Sequence, residues 1–219
     1  MKEESRLILA LDETRKGKAL EVAEEVSDLV AAIKINWPLV LSTSPEIIDE
    51  LSRISDVICD FKVADIPNTN RLIVEQTVAR GAKGIIVHGF TGSDSVRAAV
   101  EAAGDVEVFV VVEMSHPGGK EFTQSASERI ARIAKESGAA GVIAPATRPE
   151  RIREIRSMIG DLKILSPGVG AQGGSAADAI SMGADFVIVG RVIYQADSPR
   201  SAAERMYEEA RRAWANRPE

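Results

Sequence analysis

Three stretches of the chain repeat one phrase: residues 79–87 read ARGAKGIIV, residues 136–144 read ESGAAGVIA and residues 181–189 read SMGADFVIV. Each joins the end of an amphipathic run to a glycine turn and then to a short apolar run. Glycine after a periodic stretch is a helix stop, because it accepts the left-handed backbone that closes the last turn. A near-continuous Val/Ile run suits a parallel strand buried on both faces. Working outward from these units, the same alternation covers the chain. Strands are expected at 7–12 (LILALD), 31–36 (AAIKIN), 57–62 (VICDFK), 84–89 (GIIVHG), 107–113 (EVFVVVE), 141–146 (GVIAPA), 163–167 (KILSP) and 186–191 (FVIVGR). Helices are expected at 17–30, 45–54, 69–80, 93–103, 125–137, 149–159, 176–182 and 199–214, with stops at Gly81, Gly104, Gly138, Gly160 and Gly183. Eight strands alternating with eight helices in 219 residues specify an α/β chain closed into a single (β/α)₈ barrel, the TIM barrel. An open doubly wound sheet is the alternative. It would carry a G-x-G-x-x-G turn after the first strand, where this chain reads LALDETRKGK. No linker or composition shift divides residues 1–219, so one domain is expected.

Composition narrows the function. Aromatic residues make up only 4%, so Ala, Val, Ile and Leu must fill the core. A net charge of −6 without blocks of like charge fits neither nucleic acid nor an anionic membrane as partner. The apolar stretch before Asp12 is too short for a signal peptide, and no run reaches the length of a membrane span. With one cysteine, Cys59, no internal disulfide forms, and a reducing, cytoplasmic setting is expected. One cysteine and two distant histidines, His88 and His116, provide no zinc spacing, while an oxygen-ligated magnesium site stays open.

A barrel's chemistry sits at the C-terminal ends of its strands. Strand one ends in Asp12, strand two carries Lys34, strand three ends DFKVAD with Asp60, Lys62 and Asp65, and strand five runs into Glu113 and Ser115. Charges at strand ends are often merely solvated. Lys34, however, is flanked by apolar residues, and Asp60 and Lys62 lie two apart, so in an extended strand both point to one face. Two buried opposite charges are costly, and a fold rarely accepts them for stability alone. After strand seven, PGVGAQGGS (residues 167–175) carries four glycines, whose backbone amides can approach an anion closely. Arg191 at the end of strand eight adds a permanent cation, and together they favour a phosphate site over a plain flexible loop. His88 reads as a core histidine, His116 lies in a turn without an assigned role, and Trp37, Trp214 and Tyr194 read as packing residues.

DFKVADIPNTN (residues 60–70), MSHPG (114–118), SPGVGAQGG (166–174) and VGRVIYQADSP (189–199) together resemble the orotidine 5′-phosphate decarboxylases, in their short archaeal form. The resemblance runs in order from LALD to the last helix. It implies conversion of orotidine monophosphate to uridine monophosphate and CO₂ in pyrimidine biosynthesis, with no metal and no organic cofactor. By position it implies that Lys62 protonates C6 and that Asp60 lies beside the departing carboxylate. Lys34 and Asp65 then complete an alternating Lys–Asp–Lys–Asp array. It further implies a homodimer in which Asp65, Ile66 and Thr69 reach the neighbour's site. Asp12 and Lys34 match ribose contacts, Ser115 a contact to the pyrimidine, and Gln172 a lid residue between base and phosphate. Pro167, Gly168, Val169 and Gly170 are implied as substrate contacts, the closing loop is Val169–Ser175, and Gly190 and Arg191 match the phosphate grip.

Three rivals stay open. A magnesium-dependent sugar-phosphate enzyme of the same superfamily, similar to 3-keto-gulonate-phosphate decarboxylase or hexulose-phosphate synthase, shares D-x-K-x-x-D but has no need of Ser115 and Gln172. A Schiff-base aldolase on Lys62 or Lys34 is opposed by the flanking carboxylates, which hold the amine charged. A non-catalytic phosphate-binding barrel has no need of the Asp–Lys–Asp array.

Overall fold

The computed structural model describes residues 1–217. Strands β1 (Leu7–Leu11), β2 (Ala32–Ile35), β3 (Val57–Val63), β4 (Gly84–His88), β5 (Glu107–Val111), β6 (Gly141–Ile143), β7 (Lys163–Pro167) and β8 (Phe186–Val189) form one closed parallel barrel in sequence order. Closure comes from β1 against β8, with Leu7 opposite Val187 and Leu9 opposite Val189. Helices α1 (Lys16–Val26), α2 (Trp37–Ser42), α3 (Ile47–Ser52), α4 (Pro67–Ala79) and α5 (Ser93–Ala103) follow the first four strands. Helices α6 (Thr123–Glu136), α7 (Pro149–Ile159), α8 (Ala176–Ser181), α9 (Arg191–Tyr194) and α10 (Pro199–Ala215) follow the rest. All five expected helix-stop glycines have positive φ, between 57° and 118°. Among the described residues no helix is long and apolar enough to cross a membrane.

The expected eightfold alternation is present, with differences at the strand ends. Strand eight stops at Val189, and Arg191 opens α9 instead of ending the strand. Strands five and six stop at Val111 and Ile143, so Glu113 and Ala146 lie beyond them. Helix α2 was not expected. It starts because the Asn36 side chain accepts the Trp37 N–H at 2.7 Å and Pro38 sits in its first turn, two standard entry devices.

Side-chain parity separates two cores. Leu7, Leu9, Leu11, Ile33, Ile35 and Cys59 face outward and pack on the helices. Ile8, Ala10, Ala32, Ile58, Ile86, Phe109, Phe186 and Ile188 belong to a separate cluster that fills the barrel. Carrying the inward parity one step toward the C-terminal mouth gives Asp12, Lys34 and Asp60. Apolar layers therefore close the barrel below, and polar residues of the same rows face the mouth above.

Candidate active site

The mouth holds a cavity of about 240 Å³ lined by Asp12, Lys34, Asp60, Lys62, Ser115, Gln172 and Arg191 among others. At its floor Asp60 is only 6% exposed and Lys34 5%. The Lys34 ammonium donates to Asp60 Oδ2 at 2.8 Å, and Lys62 Nζ donates to both Asp60 oxygens at 2.8 and 2.9 Å. Burial works against the charge on Asp60. Lys34 and Lys62 outweigh it and hold the carboxyl below the ordinary carboxylate range. Burial likewise opposes the charge on Lys34, yet Asp60 and Asp12 keep it charged above the usual lysine range. The site therefore presents a fixed anion between two ammonium groups, one of which, Lys62, is partly open to the cavity.

The backbone does not follow the extended path expected for residues 57–62. Lys62 has φ 45°, and the β3–β4 register shifts between Cys59 and Val63. Lys62 is thus seated on a bulge. Trp37 stacks on Phe61 with ring centroids 4.4 Å apart, and its Nε1–H donates to the Phe61 carbonyl at 3.1 Å. Trp37 is therefore more than packing: it satisfies a carbonyl at the irregularity.

Asp65 does not join this cluster. It is exposed at the entry to α4, where its carboxylate accepts the Ile66 N–H at 2.7 Å. Its own N–H donates to Asn70 Oδ1, and its carbonyl accepts from Ser95 Oγ. Neither Asp65, Ile66 nor Thr69 lines this chain's own cavity. Ile66 is 64% exposed, and Pro67 behind it opens α4, two residues earlier than expected.

The loop after β7 brings Gln172 over the cavity, where Ser115 Oγ donates to Gln172 Oε1 at 3.0 Å. Pro167, Gly168 and Val169 also line it. Gly168 has φ 103°, and a Cβ there would stand 2.9 Å from the Thr147 methyl. The amides of Gly170, Gly173 and Gly174 are turned onto the loop's own carbonyls, contrary to the expectation that these glycines offer N–H groups to an anion. Ser175 caps α8 by accepting the Asp178 N–H. Arg191 lies exposed at the mouth beside Gly190 and makes no hydrogen bond or ion pair among the described residues.

Tyr194 packs in the core as expected and also reaches the cavity wall. It lines the same corner, three residues after Arg191 on α9, a spacing that places both on one helix face. Burial, then Asp12, raises its phenol, so it stays protonated. Asp12 Oδ1 is buried without a protein partner. His88 continues the inward row of β4, above Ile86, with its ring 4.7 Å from Phe90 and Nδ1 buried without a partner. Burial, then Lys62, pushes it down to about 4, so it is neutral. His116 is exposed in a turn, and Arg6 stacks over Trp214 far from the cavity. Among the described residues no three His, Cys, Asp or Glu side chains converge as a metal site.

A family model described as orotidine 5′-phosphate decarboxylase / HUMPS family matches residues 5–206. A protein of Methanosarcina mazei named orotidine 5′-phosphate decarboxylase is 59% identical over 212 residues, covering 95% of this chain and 96% of its own. One of the same name from Thermococcus kodakarensis is 54% identical over 210 residues, covering 94% and 97%. The solved structure of orotidine 5′-monophosphate decarboxylase from Methanocaldococcus jannaschii, complexed with the inhibitor BMP, matches with a TM-score of 0.89 at 45% identity. That match covers 93% of this chain and 97% of the other.

Proposed function

The chain belongs to the orotidine 5′-phosphate decarboxylase / HUMPS family, and on that premise we propose that it is a carboxy-lyase converting orotidine monophosphate to uridine monophosphate and CO₂. The observation that carries this reading is the buried Lys34–Asp60–Lys62 array beneath the Ser115–Gln172 bridge. The family description spans two activities, and the relatives at 54–59% identity carry the decarboxylase name.

In the proposed reaction the C6–carboxylate bond breaks and its electron pair stays on C6. The Lys62 ammonium, held by Asp60, stabilises that pair and then transfers a proton to it. Lysine suits the step because it is a compact cation with transferable protons. The resulting amine regains its proton from water. No metal and no organic cofactor take part. Asp60 faces the departing carboxylate, whose repulsion is relieved as CO₂ leaves. Asp12, with its free buried oxygen, and Lys34 receive the ribose hydroxyls. Ser115 and Gln172 read the pyrimidine under the Val169–Ser175 lid, with Pro167, Gly168, Val169 and Gly170 also touching the substrate. Gly190 and Arg191 hold the phosphate, and phosphate binding energy drives lid closure.

The enzyme is proposed as a cytoplasmic homodimer of one-domain subunits. Exposed Ile66, with Trp37, Leu41 and Leu72 also exposed on α2 and α4, favours a covered face there. Asp65, Ile66 and Thr69 would then serve the neighbour's cavity. The deciding assay incubates the purified chain with orotidine monophosphate in EDTA. Uridine monophosphate should form at the untreated rate; a strict need for magnesium favours the sugar-phosphate reading instead. Mixing Asp65→Asn with Lys62→Ala chains should restore part of the activity, because a hybrid dimer regains one intact site. No recovery after confirmed subunit exchange removes the shared site.

A further inference from the structure

Glu113 is fully buried just beyond β5, yet it lines the cavity and has no part in the reaction described above. Its two oxygens take different arginines. Arg148 Nε donates to Oε1 at 3.0 Å, and Arg151 Nε donates to Oε2 at 2.9 Å. Both arginine side chains are themselves largely buried. Arg151 is held further by Ser127 Oγ at 2.8 Å and by Glu154.

The other ends of Arg148 matter more. Its Nη1 donates to the Ser115 carbonyl at 3.3 Å, and its Nη2 donates to the Met114 carbonyl. Thr147 Oγ1 also donates to the Ser115 carbonyl, at 2.8 Å. The Met114 N–H donates to Thr123 Oγ1 at 3.2 Å. The peptide groups of Met114 and Ser115 are therefore clamped from both sides, and the Ser115 side chain bonds Gln172 of the lid. Buried carbonyls must find donors, and a guanidinium fork can serve two carbonyls and a carboxylate at once. A lysine, with one compact head, cannot. Without Glu113 the fork has no fixed anchor.

We propose that Glu113 is a positioning residue for base recognition: through Arg148 it sets the Met114–Ser115 backbone, and so aims Ser115 Oγ at both the pyrimidine and the lid glutamine. This rests on the proposed decarboxylase function. It makes the β5 and β6 loops one unit that links base reading to lid closure, separate from the phosphate corner at Arg191.

The test is a binding cycle on the full chain with two probes: uridine monophosphate, which carries the base, and ribose 5-phosphate, which does not. Glu113→Gln should weaken uridine monophosphate about tenfold, the scale of one lost hydrogen bond, and leave ribose 5-phosphate unchanged. Ser115→Ala should show the same selective loss. The double variant should be no weaker than Ser115→Ala alone, because both act through one hydroxyl. Equal weakening of both probes, additive losses, or unchanged affinity in folded Glu113→Gln overturns the proposal. Where Glu113→Gln fails to fold, Thr147→Val decides. It keeps the ion pairs and removes one bond on the Ser115 carbonyl, so a smaller loss confined to uridine monophosphate supports the clamp and no loss overturns it. Wild-type chain that neither decarboxylates orotidine monophosphate nor binds uridine monophosphate overturns both readings. Active wild type with an unaltered Glu113→Gln overturns the positioning role alone.

Discussion

Two buried carboxylates stand on this cavity's wall, and each is paired with two cations. Asp60 on β3 takes Lys34 and Lys62; Glu113 beyond β5 takes Arg148 and Arg151. The charge inventory is the same, and the remaining bonds differ. The arginines spend their further donors on backbone carbonyls or neighbouring side chains, so the Glu113 cluster is closed. Among the described residues Lys62 bonds only Asp60, and it leaves about a third of its side chain open to the cavity. Its backbone is also in the left-handed region, whereas Glu113 has no such strain. A closed arginine cluster holds structure, and an open lysine cluster holds a proton where a ligand can reach it.

The contrast is broken most easily at Lys62. On the proposed mechanism, Lys62→Ala should lower turnover by at least about 10³-fold, or about 4 kcal/mol of barrier, because it would remove both the proposed charge facing C6 and the proton. Affinity for uridine monophosphate should stay within about tenfold, since the proposed ribose, base and phosphate contacts lie on other residues. Steady-state kinetics and product titration read the two quantities. Near-normal turnover would take Lys62 out of the chemistry and make the two clusters alike.

A second comparison concerns stability. Glu113→Gln leaves two buried guanidinium groups without their anion and should lower the unfolding free energy by about 3 kcal/mol. Asp60→Asn should cost less than half of that. Lys62 can turn toward water, and Lys34 keeps the attraction of Asp12. Activity should rank the other way. Denaturant unfolding of both variants provides the values, and equal stability losses would mean that the Asp60 array is as structural as the Glu113 cluster.

How far each cluster was legible follows from their geometry. The barrel strands are readable because burial on both faces leaves near-continuous apolar runs, and parity then points Lys34 and Asp60 inward. Asp65 has the right motif spacing and the wrong place for this chain's own cavity, since Pro67 starts α4 and carries Asp65 out to the surface. Helices α2 and α9 span six and four residues, too short to show a helical period. The N-cap Asn36 and Pro38 were the available signal for α2. Tyr194 carried only its three-residue offset from Arg191. The Glu113–Arg148 pair is 35 residues apart, and two charged residues at that distance have no pattern to mark them. Nor does any residue announce the bulge: lysine is an ordinary strand residue, and its positive φ appears only in three dimensions.

That φ supplies the finest test, of about 1 kcal/mol. A left-handed conformation costs an L-residue roughly 1–2 kcal/mol, and glycine escapes most of it. In an extended strand, residues two apart lie about 6.6 Å from each other. The bulge changes that path and seats the Lys62 ammonium on both Asp60 oxygens, while Trp37 braces the disturbed peptide. The strain is thus tied to the ion pair. Lys62→Ala loses the pair and keeps the strain, whereas Lys62→Gly loses both. Lys62→Gly should therefore be the more stable of the two by about 1 kcal/mol, with both inactive. At Glu113, where φ is not positive, the order should invert: Glu113→Gly should be less stable than Glu113→Ala by about 0.5–1 kcal/mol, the usual entropic cost of glycine. Opposite signs at the two positions place stored strain in the lysine cluster alone. The same sign at both would show that Lys62 sits without strain, and that its exposure to the cavity is all that separates the two carboxylates.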